Sequence, residues 1–275
     1  MLFPEDVFLI MKRFVKTIIL FIGILLAGCE KELDFKYHEI EPILVIEGSL
    51  TQDGAQVSLT LTTPMNEPMN REHLTDAEVV IKDLESGEEV TLKPDPDGMF
   101  ISGMPGIEGH TYRLTVRRGD EVYTSESTMG AAVDITGMEF NWIKMPYDYV
   151  AVLQVSFTDN PVSNDDCYGV RLDRNGEAYK WAEINDMLSA NGIINEVMMT
   201  TRRDLDEEDE ADKLEDGDII RATVVPVSRD MHDYLEALGV GNSNGPRMFE
   251  GGFCLGYFLA APVTAKEIVF RPDDF

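Results

Sequence analysis

The sequence is poor in the residues that build zinc sites and disulfide frameworks, with 3 cysteines and 4 histidines in 275 residues. The histidines are scattered singly, with no His-x-x-x-His pair and no cysteine pair beside them, so the usual zinc patterns are excluded. Two thiols remain once Cys29 is set aside, and they supply no disulfide framework. Whether Cys167 and Cys254 form a single bridge stays open.

Positive charge is also scarce. The chain has 23 lysines and arginines against 51 aspartates and glutamates, a formal net charge of −28. A surface of this sign repels nucleic acid and anionic lipid headgroups, and it favours cations or basic partners. Nucleic-acid binding is therefore excluded, whereas the 44% of hydrophobic residues is enough for folded domains with their own cores.

A segment long enough to span a bilayer is missing. The apolar stretch from Phe14 to Leu26 follows the basic pair Lys12-Arg13, and it is shorter than the about 20 residues of a transmembrane helix. Basic residues, an apolar stretch and then the small residues Ala27-Gly28 are the three regions of a secretory signal in their proper order. We therefore expect residues 1–28 to be a signal peptide that is removed.

The cysteine after this signal makes the interpretation more specific. Leu26-Ala27-Gly28-Cys29 resembles the bacterial lipobox at all four positions, which predicts a diacylglyceryl group on Cys29. The alternative is an ordinary signal peptide with a cysteine at its end. Each buried methylene of an acyl chain contributes about 0.8 kcal/mol, so two or three chains would hold the protein at the outer membrane.

Residues 29–41 are expected to form a charged tether after the lipidated cysteine. Its start, Glu30-Lys31-Glu32, is similar to surface-export signals, but it equally fits an ordinary solvated tether. The side of the outer membrane that the protein faces, cell surface or periplasm, therefore stays open.

The next part, residues 42–130, predicts an immunoglobulin-like or transthyretin-like β-sandwich. Its segments are short, rich in β-branched and aromatic residues, and separated by turn residues. The predicted strands are Ile43–Glu47, Val57–Thr62, Ala77–Asp83, Glu89–Leu92, Met99–Ser102, Thr111–Arg117 and Glu121–Ser127.

One hairpin in this domain is predicted in detail. Tyr112, Leu114 and Val116 alternate with polar residues, which places one face of the strand in a core and the other in water. Arg118-Gly119-Asp120 then matches an integrin-type tripeptide, but Gly-Asp is also what a tight reversal requires, and we interpret it as the hairpin turn.

Residues 131–275 predict a second β-rich domain with minor helix. The segment Arg229–Leu238 is expected to be helical and to end at Gly239, while Trp181–Ser189 is ambiguous between helix and other structure. The predicted strands are Ile135–Ile143, Tyr149–Thr158, Tyr168–Arg174, Ile194–Thr200, Ile219–Val227, Phe253–Leu259 and Lys266–Phe270.

Catalytic machinery is not recognisable in the sequence. Residues 241–245 match the G-x-S-x-G string of serine hydrolases, but Pro246 follows at once and every histidine precedes Ser243. The chain order Ser, Asp, His of that enzyme class is therefore not met. We predict a surface loop there, no enzyme activity and no cofactor.

Carboxylates offer the one candidate metal site. Ten acidic residues lie between Asp204 and Asp218, and Asp204, Asp206 and Glu208 are weak candidate ligands for Ca²⁺, which prefers several oxygens. No EF-hand register fits, since Asp209 stands where the loop glycine should be, and a solvated loop is the alternative. The turn Asp159-Asn160-Pro161 together with Asp165-Asp166 could supply oxygens too.

Several motifs together resemble a family of Bacteroidetes outer-membrane lipoproteins known only as domain of unknown function 4249. They are Cys29 with its acidic tether, 42–48 (Pro-Ile-Leu-Val-Ile-Glu-Gly), 77–81 (Ala-Glu-Val-Val-Ile), 111–116 (Thr-Tyr-Arg-Leu-Thr-Val) and the glycine-rich 250–258. Members of this family look like partner proteins of TonB-dependent outer-membrane transporters and are typically encoded beside them. The resemblance implies a binding or accessory role beside such a transporter in nutrient uptake, and it supplies no catalytic residues.

Two other functions fit the sequence. A hydrolase with an unrecognised site would use residues such as Ser243 or Asp204, and an adhesive or structural surface protein would bind material without a transporter. The aromatic residues Trp142, Tyr147 and Tyr149 could stack on a sugar or peptide ligand, or could belong to a core.

Overall fold

The computed structural model describes residues 41–64, 72–146, 149–159, 166–185, 192–202, 213–241 and 245–272. This part of the chain contains seventeen strands and one helix, and no helix in it is long and apolar enough to cross a membrane. The strands are β1 Leu44–Thr51, β2 Gly54–Leu61, β3 Glu78–Asp83, β4 Glu89–Thr91, β5 Lys93–Pro94, β6 Phe100–Ser102, β7 Thr111–Arg118, β8 Glu121–Thr128, β9 Ile135–Lys144, β10 Tyr149–Thr158, β11 Cys167–Arg174, β12 Glu177–Asn185, β13 Ile193–Arg202, β14 Ile219–Val227, β15 Glu250–Gly251, β16 Leu255–Ala260 and β17 Thr264–Val269, and the helix is α1 Arg229–Gly239. The prediction of a mainly β protein with minor helix is confirmed.

Four sheets form two packed bodies. The first body pairs the sheet β16-β1-β2-β6-β5 with the sheet β15-β8-β7-β3-β4, and the second body pairs β13-β10-β9 with β12-β11-β14-β17. Each body has its own apolar core, since buried residues from both of its sheets form one cluster. The largest fully buried side chains of the first core include Tyr112, Phe100 and Phe258, and those of the second include Tyr168, Phe157 and Phe270.

The hairpin β7–β8 shows how the alternating sequence pattern sets the fold. Tyr112, Leu114 and Val116 are fully buried, as predicted, while Arg113 and Arg117 on the other face of the strand are exposed. The ladder runs to the pair Arg118 and Glu121, so Gly119-Asp120 is a two-residue turn. Gly119 adopts a φ of 61°, which a glycine reaches without strain, and this is the hairpin turn expected for that tripeptide.

The first sheet is completed by a strand from near the end of the chain. β16 pairs with β1 in parallel, from the pair of Val45 with Leu255 to that of Leu50 with Ala260. Phe249, Phe258 and Ala260 are buried in the first core. The predicted domain boundary at residue 130 assigns β16 to the second domain. In the structure β16 pairs with β1 of the first body, about 200 positions earlier in the chain.

The chain crosses between the two bodies three times. It leaves the first body after β8, returns from α1 to β15, and leaves again between β16 and β17. The last crossing is fastened by Gln52, whose amide donates to the Val263 carbonyl at 3.0 Å and accepts from the Val263 N–H at 2.9 Å. Three connections restrict hinge motion between the bodies far more than a single linker would.

The single helix packs on the outer face of the second body and confirms the predicted segment. The Ser228 hydroxyl caps it by accepting the Met231 N–H at 3.2 Å, and Met231 and His232 are its buried residues. Its last residue is Gly239, at the predicted end. The aromatic rings of Tyr234 on the helix and Tyr257 on β16 lie 6.0 Å apart, so the helix also touches the first body.

Three strands of the structure are not among the predicted ones. β12 covers residues that were ambiguous, and it is a strand because it pairs along its whole length with β11 after the turn Asn175-Gly176. The other two, β5 and β15, are two residues long, which is too short for any periodic pattern to indicate.

A buried carboxylate ties the edge of the second body together. Asp218 accepts from the Arg174 guanidinium at 2.7 Å, from the Asn175 amide at 2.7 Å and from the Glu215 N–H at 2.8 Å. Burial opposes the charge of Asp218, but these donors outweigh it and hold the pKa of the carboxyl below its ordinary value. The ionised form is therefore the stabilising one.

We expect Asp218→Asn to lower the free energy of unfolding by about 1–3 kcal/mol near pH 7, because it leaves buried donors poorly matched. Since the folded-state pKa is lowered, this stabilisation is present above about pH 4, the ordinary range of an aspartate, and is lost as the pH falls further. Urea unfolding near pH 7 and about pH 3 measures it. Asp216→Asn, at an exposed carboxylate nearby, is the control and should change little. An equal effect of Asp218→Asn at both pH values would contradict this account.

Candidate functional site

A concave site lies where the two bodies meet. It is a cavity of about 740 Å³ between the end of β8, the first crossing, the end of β10, the start of β11 and the start of α1. Its described lining residues are Glu126, Ser127, Thr128, Gly130, Ala131, Ala132, Val133, Thr158, Asp159, Asp166, Cys167, Tyr168, Pro226, Val227, Ser228 and Asp230. Both bodies contribute walls, so the cavity depends on their fixed arrangement.

A second cavity of about 550 Å³ continues the first along β8. Three residues line both cavities, namely Glu126, Ser228 and Asp230. The other lining residues of the second cavity are Arg113, Thr124, Ser125, Arg247, Met248, Phe249 and Glu250. We call the two cavities together the junction groove.

The floor of the groove is held by contacts across the first crossing. Gly130 lies against Pro226, so that a β-carbon at Gly130 would be 3.1 Å from the proline ring. The Ala132 N–H donates to Glu108 at 2.9 Å, and the Asp134 N–H donates to the Thr158 hydroxyl at 2.9 Å. These contacts fix the first crossing where it lines the groove.

The lining of the first cavity is acidic over an aliphatic floor. Among the described lining residues four are carboxylates, Glu126, Asp159, Asp166 and Asp230, and none is a lysine or arginine. Alanine, valine and proline side chains lie between them. The cavity is therefore lined by both negative charge and apolar surface.

Two of these carboxylates are oriented by the surrounding elements. Asp159 accepts from the Tyr168 hydroxyl at 2.9 Å, and the Tyr168 ring is held edge-on against Phe157 at 5.2 Å. Asp230 stands exposed in the first turn of α1, where the helix dipole stabilises negative charge. In the second cavity, Glu126 accepts from the Arg113 Nε at 2.8 Å, and both side chains are about half exposed.

Two groups of potential metal ligands occur elsewhere in the described part of the chain. One is Asp83, Glu85 and His110, and the other is His232, Asp233 and Glu236; in each, the ligand atoms lie within 4.8 Å of one another. The first already has a structural role. Asp83 accepts from the backbone N–H groups of Glu85 and Ser86 and pairs with the His110 Nδ1 at 2.8 Å.

Those contacts determine the charge of Asp83. Burial disfavours its ionised form, but the His110 ring and the backbone N–H groups outweigh burial and hold the pKa of Asp83 well below its ordinary value. The carboxylate thus fixes the turn between β3 and β4. Its oxygens are engaged by donors, which argues for a structural role over metal binding.

The predicted site residues fall into two sets. Cys29 and the calcium candidates Asp204, Asp206 and Glu208 lie outside the described residues, as do Tyr147 and Ser243. The segment before Ser243 is the helix α1, whereas a nucleophile elbow requires a strand there. Of the weaker oxygen donors, Asp159 and Asp166 are brought together as lining residues of the first cavity.

Two predicted cysteines and two predicted aromatic residues lie within the described part of the chain. Cys167 and Cys254 are not joined by a disulfide: Cys167 is buried in the second body, and Cys254 packs against the first core. Burial raises the pKa of Cys254 to about 11, so this thiol is protonated at neutral pH. Trp142 packs against the second core, and Tyr149 is 38% exposed.

Glu126 and Asp230 line the groove but are not among the predicted site residues. Glu126 lies on the outward face of a predicted strand, and Asp230 lies in the first helical turn after the cap Ser228. Both positions read as ordinary solvated carboxylates, because only the long-range packing of two bodies brings them to one groove. No local signal in the sequence indicates that packing.

The chain was compared with curated proteins and with solved structures. No curated protein matches the chain. Among solved structures, a two-domain fibronectin type-III segment of chicken tenascin is similar at 13% identity, with 83% of this chain and 99% of that chain covered and a TM-score of 0.23. The FN1–FN3 domains of chicken CNTN1 are similar at 10% identity, with coverage of 84% and 65% and a TM-score of 0.23.

The family comparison is broader. The family model described as "Domain of unknown function (DUF4249)" matches residues 30–266, which is most of the chain and includes both bodies. The chain belongs to this family of proteins with a domain of unknown function.

Proposed function

We propose that the protein is an outer-membrane lipoprotein that serves as a non-catalytic binding or accessory module for a TonB-dependent transporter. The observation that carries the proposal is the lipobox Leu26-Ala27-Gly28-Cys29 behind a basic pair and an apolar stretch. Acylation of Cys29 would fasten the folded part to the membrane through residues 30–41, with no segment crossing the bilayer.

The fold suits a binding role. The two bodies that line the groove are joined by three crossings, which restrict their relative motion, so little conformational entropy would be lost on binding. The aliphatic and carboxylate side chains of the lining offer both apolar contact and charge recognition. These are properties of a module that holds a ligand, and they require no reaction.

The transporter as partner rests on the family resemblance carried by the motifs at 42–48, 77–81, 111–116 and 250–258. A lipid anchor confines the protein to the plane in which such a transporter lies. Confinement raises the local concentration of the two proteins, so that even a weak contact would persist.

Co-purification from native membranes tests the partnership. We expect the full chain, tagged after Phe275 and solubilised in neutral detergent, to retain a TonB-dependent transporter identified by mass spectrometry. An unrelated lipoprotein with the same tag and residues 1–41 of this chain is the control, because it shares the anchor and tether but lacks both bodies. Equal transporter recovery with both proteins, or none with either, would refute the partnership.

A further inference from the structure

We propose that the junction groove binds an extended, positively charged peptide segment, which adds to the open edge of β8 and places lysine or arginine side chains in the two cavities. The inference rests on the proposed binding role and names the ligand class, but it needs neither the lipid anchor nor the transporter. It is carried by a strand edge, by the spacing of the carboxylates and by the chemistry of the floor.

One edge of β8 is paired over only part of its length. One side of β8 is covered by β7 along its whole length, up to the pair of Thr111 with Thr128. On the other side, β15 pairs with β8 only at Tyr123 and Thr124. The described ladder on this side therefore ends at Thr124, and residues 125–128 continue along both cavities. Backbone groups at such an edge favour an added strand.

The charge of the groove selects the sign of the ligand. Glu126, Asp159, Asp166 and Asp230 line the first cavity, with no lysine or arginine among its described lining residues. The second cavity is lined by three carboxylates, Glu126, Asp230 and Glu250, and by two arginines, Arg113 and Arg247. Arg113 is paired with Glu126, so the excess of negative charge in this cavity is smaller than in the first. A basic segment would be attracted and an acidic one repelled.

The spacing of the carboxylates favours an extended ligand over a single metal ion. Only two groups in the described part of the chain bring three ligand atoms within 4.8 Å of one another, and neither contains a groove residue. Ca²⁺ takes six to eight oxygens at about 2.3–2.6 Å, which demands convergence. Carboxylates distributed along two cavities instead match charges distributed along a chain.

The floor explains why the charges should belong to lysine or arginine side chains. These side chains have aliphatic stems that lie along apolar surface while the charged end reaches water or a carboxylate. Ala131, Ala132 and Pro226, which are exposed or half-buried lining residues, provide that surface. Each cavity has the volume of a typical ligand pocket, about 300–1,000 Å³, so two in series accommodate successive side chains of one strand.

A fluorescent peptide of four lysine-threonine repeats tests the proposal on the full chain, purified in neutral detergent. We expect saturable binding in fluorescence anisotropy that weakens with added salt, and no binding of the matched glutamate-threonine peptide. Methylation of alternate backbone nitrogens in the lysine peptide should abolish binding, because it removes the donors needed for strand addition.

Substitutions locate the site. Asp230→Asn and Glu126→Gln should each weaken peptide binding by about three- to tenfold, as expected for the loss of one charge contact of up to about 1.4 kcal/mol. Glu89→Gln is the matched control, since it removes one exposed carboxylate on β4 at the far edge of the same sheet. It should leave the affinity within about twofold.

Three results would overturn the proposal. Equal weakening by Glu89→Gln and Asp230→Asn would show non-specific attraction to an acidic surface. Undiminished binding of the backbone-methylated peptide would exclude strand addition. The third result is displacement of the lysine peptide by Ca²⁺ or spermine while the total ionic strength is held constant. That result would show that the groove takes a small cation. None of these results depends on membrane attachment, so they leave the proposed location untouched.

Discussion

Gly256→Ala is expected to lower the free energy of unfolding by more than about 4 kcal/mol, a large part of the 5–15 kcal/mol that stabilises a typical domain. Gly256 lies opposite Ile46 in the parallel pair of β16 with β1 and has a φ of +101°. A β-carbon there would lie 2.0 Å from the Ile46 carbonyl oxygen and 2.9 Å from its nitrogen. The main chain of β16 must therefore move away from β1.

That movement would also withdraw a core residue. Phe258 lies on the same strand, is 2% exposed and packs in the first core. Truncating a buried phenylalanine costs about 3–5 kcal/mol, so partial loss of its packing adds to the strain at Gly256. The effect arises in the N-terminal body although the substitution lies near the end of the chain.

Gly176→Ala is the matched control for backbone strain. Gly176 has a similar φ of +91°, but nothing lies within 4 Å of its ideal β-carbon. It should therefore show only the strain of an unfavourable conformation, about 1–2 kcal/mol. Urea unfolding followed by circular dichroism and by fluorescence compares the two variants, and equal midpoints would contradict the tight β1–β16 contact.

The fluorescence adds a test of coupling between the bodies. Both tryptophans, Trp142 and Trp181, lie on strands of the second body. Because the chain crosses between the bodies three times, we expect their transition to shift with that of the circular dichroism in Gly256→Ala. Separate transitions would instead mean that the two bodies unfold independently.

Loss of membrane attachment is the second large effect. We expect a variant with Cys29→Ser and an ordinary cleavable secretory signal in place of residues 1–28 to move almost entirely from the membrane to the soluble fraction. The acyl chains are the proposed attachment, and a surface with a net charge of −28 gains nothing from anionic headgroups. Fractionation and immunoblotting measure the change.

Cys254→Ser is the matched cysteine control. Its thiol is half-buried against the first core, and it is not preceded by a lipobox. This variant, with its own residues 1–28, should remain in the membrane fraction. Membrane retention of the Cys29→Ser variant in the absence of its partner transporter would contradict attachment through the acyl group.

Local patterns predicted most of the strands. Strands such as β7, β10 and β14 carry alternating or continuous apolar residues bounded by turn signals, and the structure places them within a residue of the predicted bounds. The helix α1 was recognisable from its apolar periodicity and the glycine at its end. Apolar alternation, turn residues and a terminal glycine are each defined by a few neighbouring residues. They can therefore be recognised without knowing which distant segments pack together.

Long-range pairing is what the sequence did not indicate. Leu255–Ala260 reads as one more strand, and nothing within it specifies that its partner is β1. The glycine at position 256 becomes informative only when Ile46 is known to face it. The junction groove has the same origin, since Glu126 and Asp230 are ordinary exposed carboxylates until two bodies place them together.

Mass spectrometry of the N-terminal peptide of the protein from native membranes tests the proposed function most directly. The account predicts a peptide that begins at Cys29, carries the mass of a diacylglyceryl group on its sulfur, and lacks residues 1–28. A peptide in which Cys29 is unmodified, or is still joined to Gly28, would contradict the lipid anchor and with it the proposed role at the outer membrane.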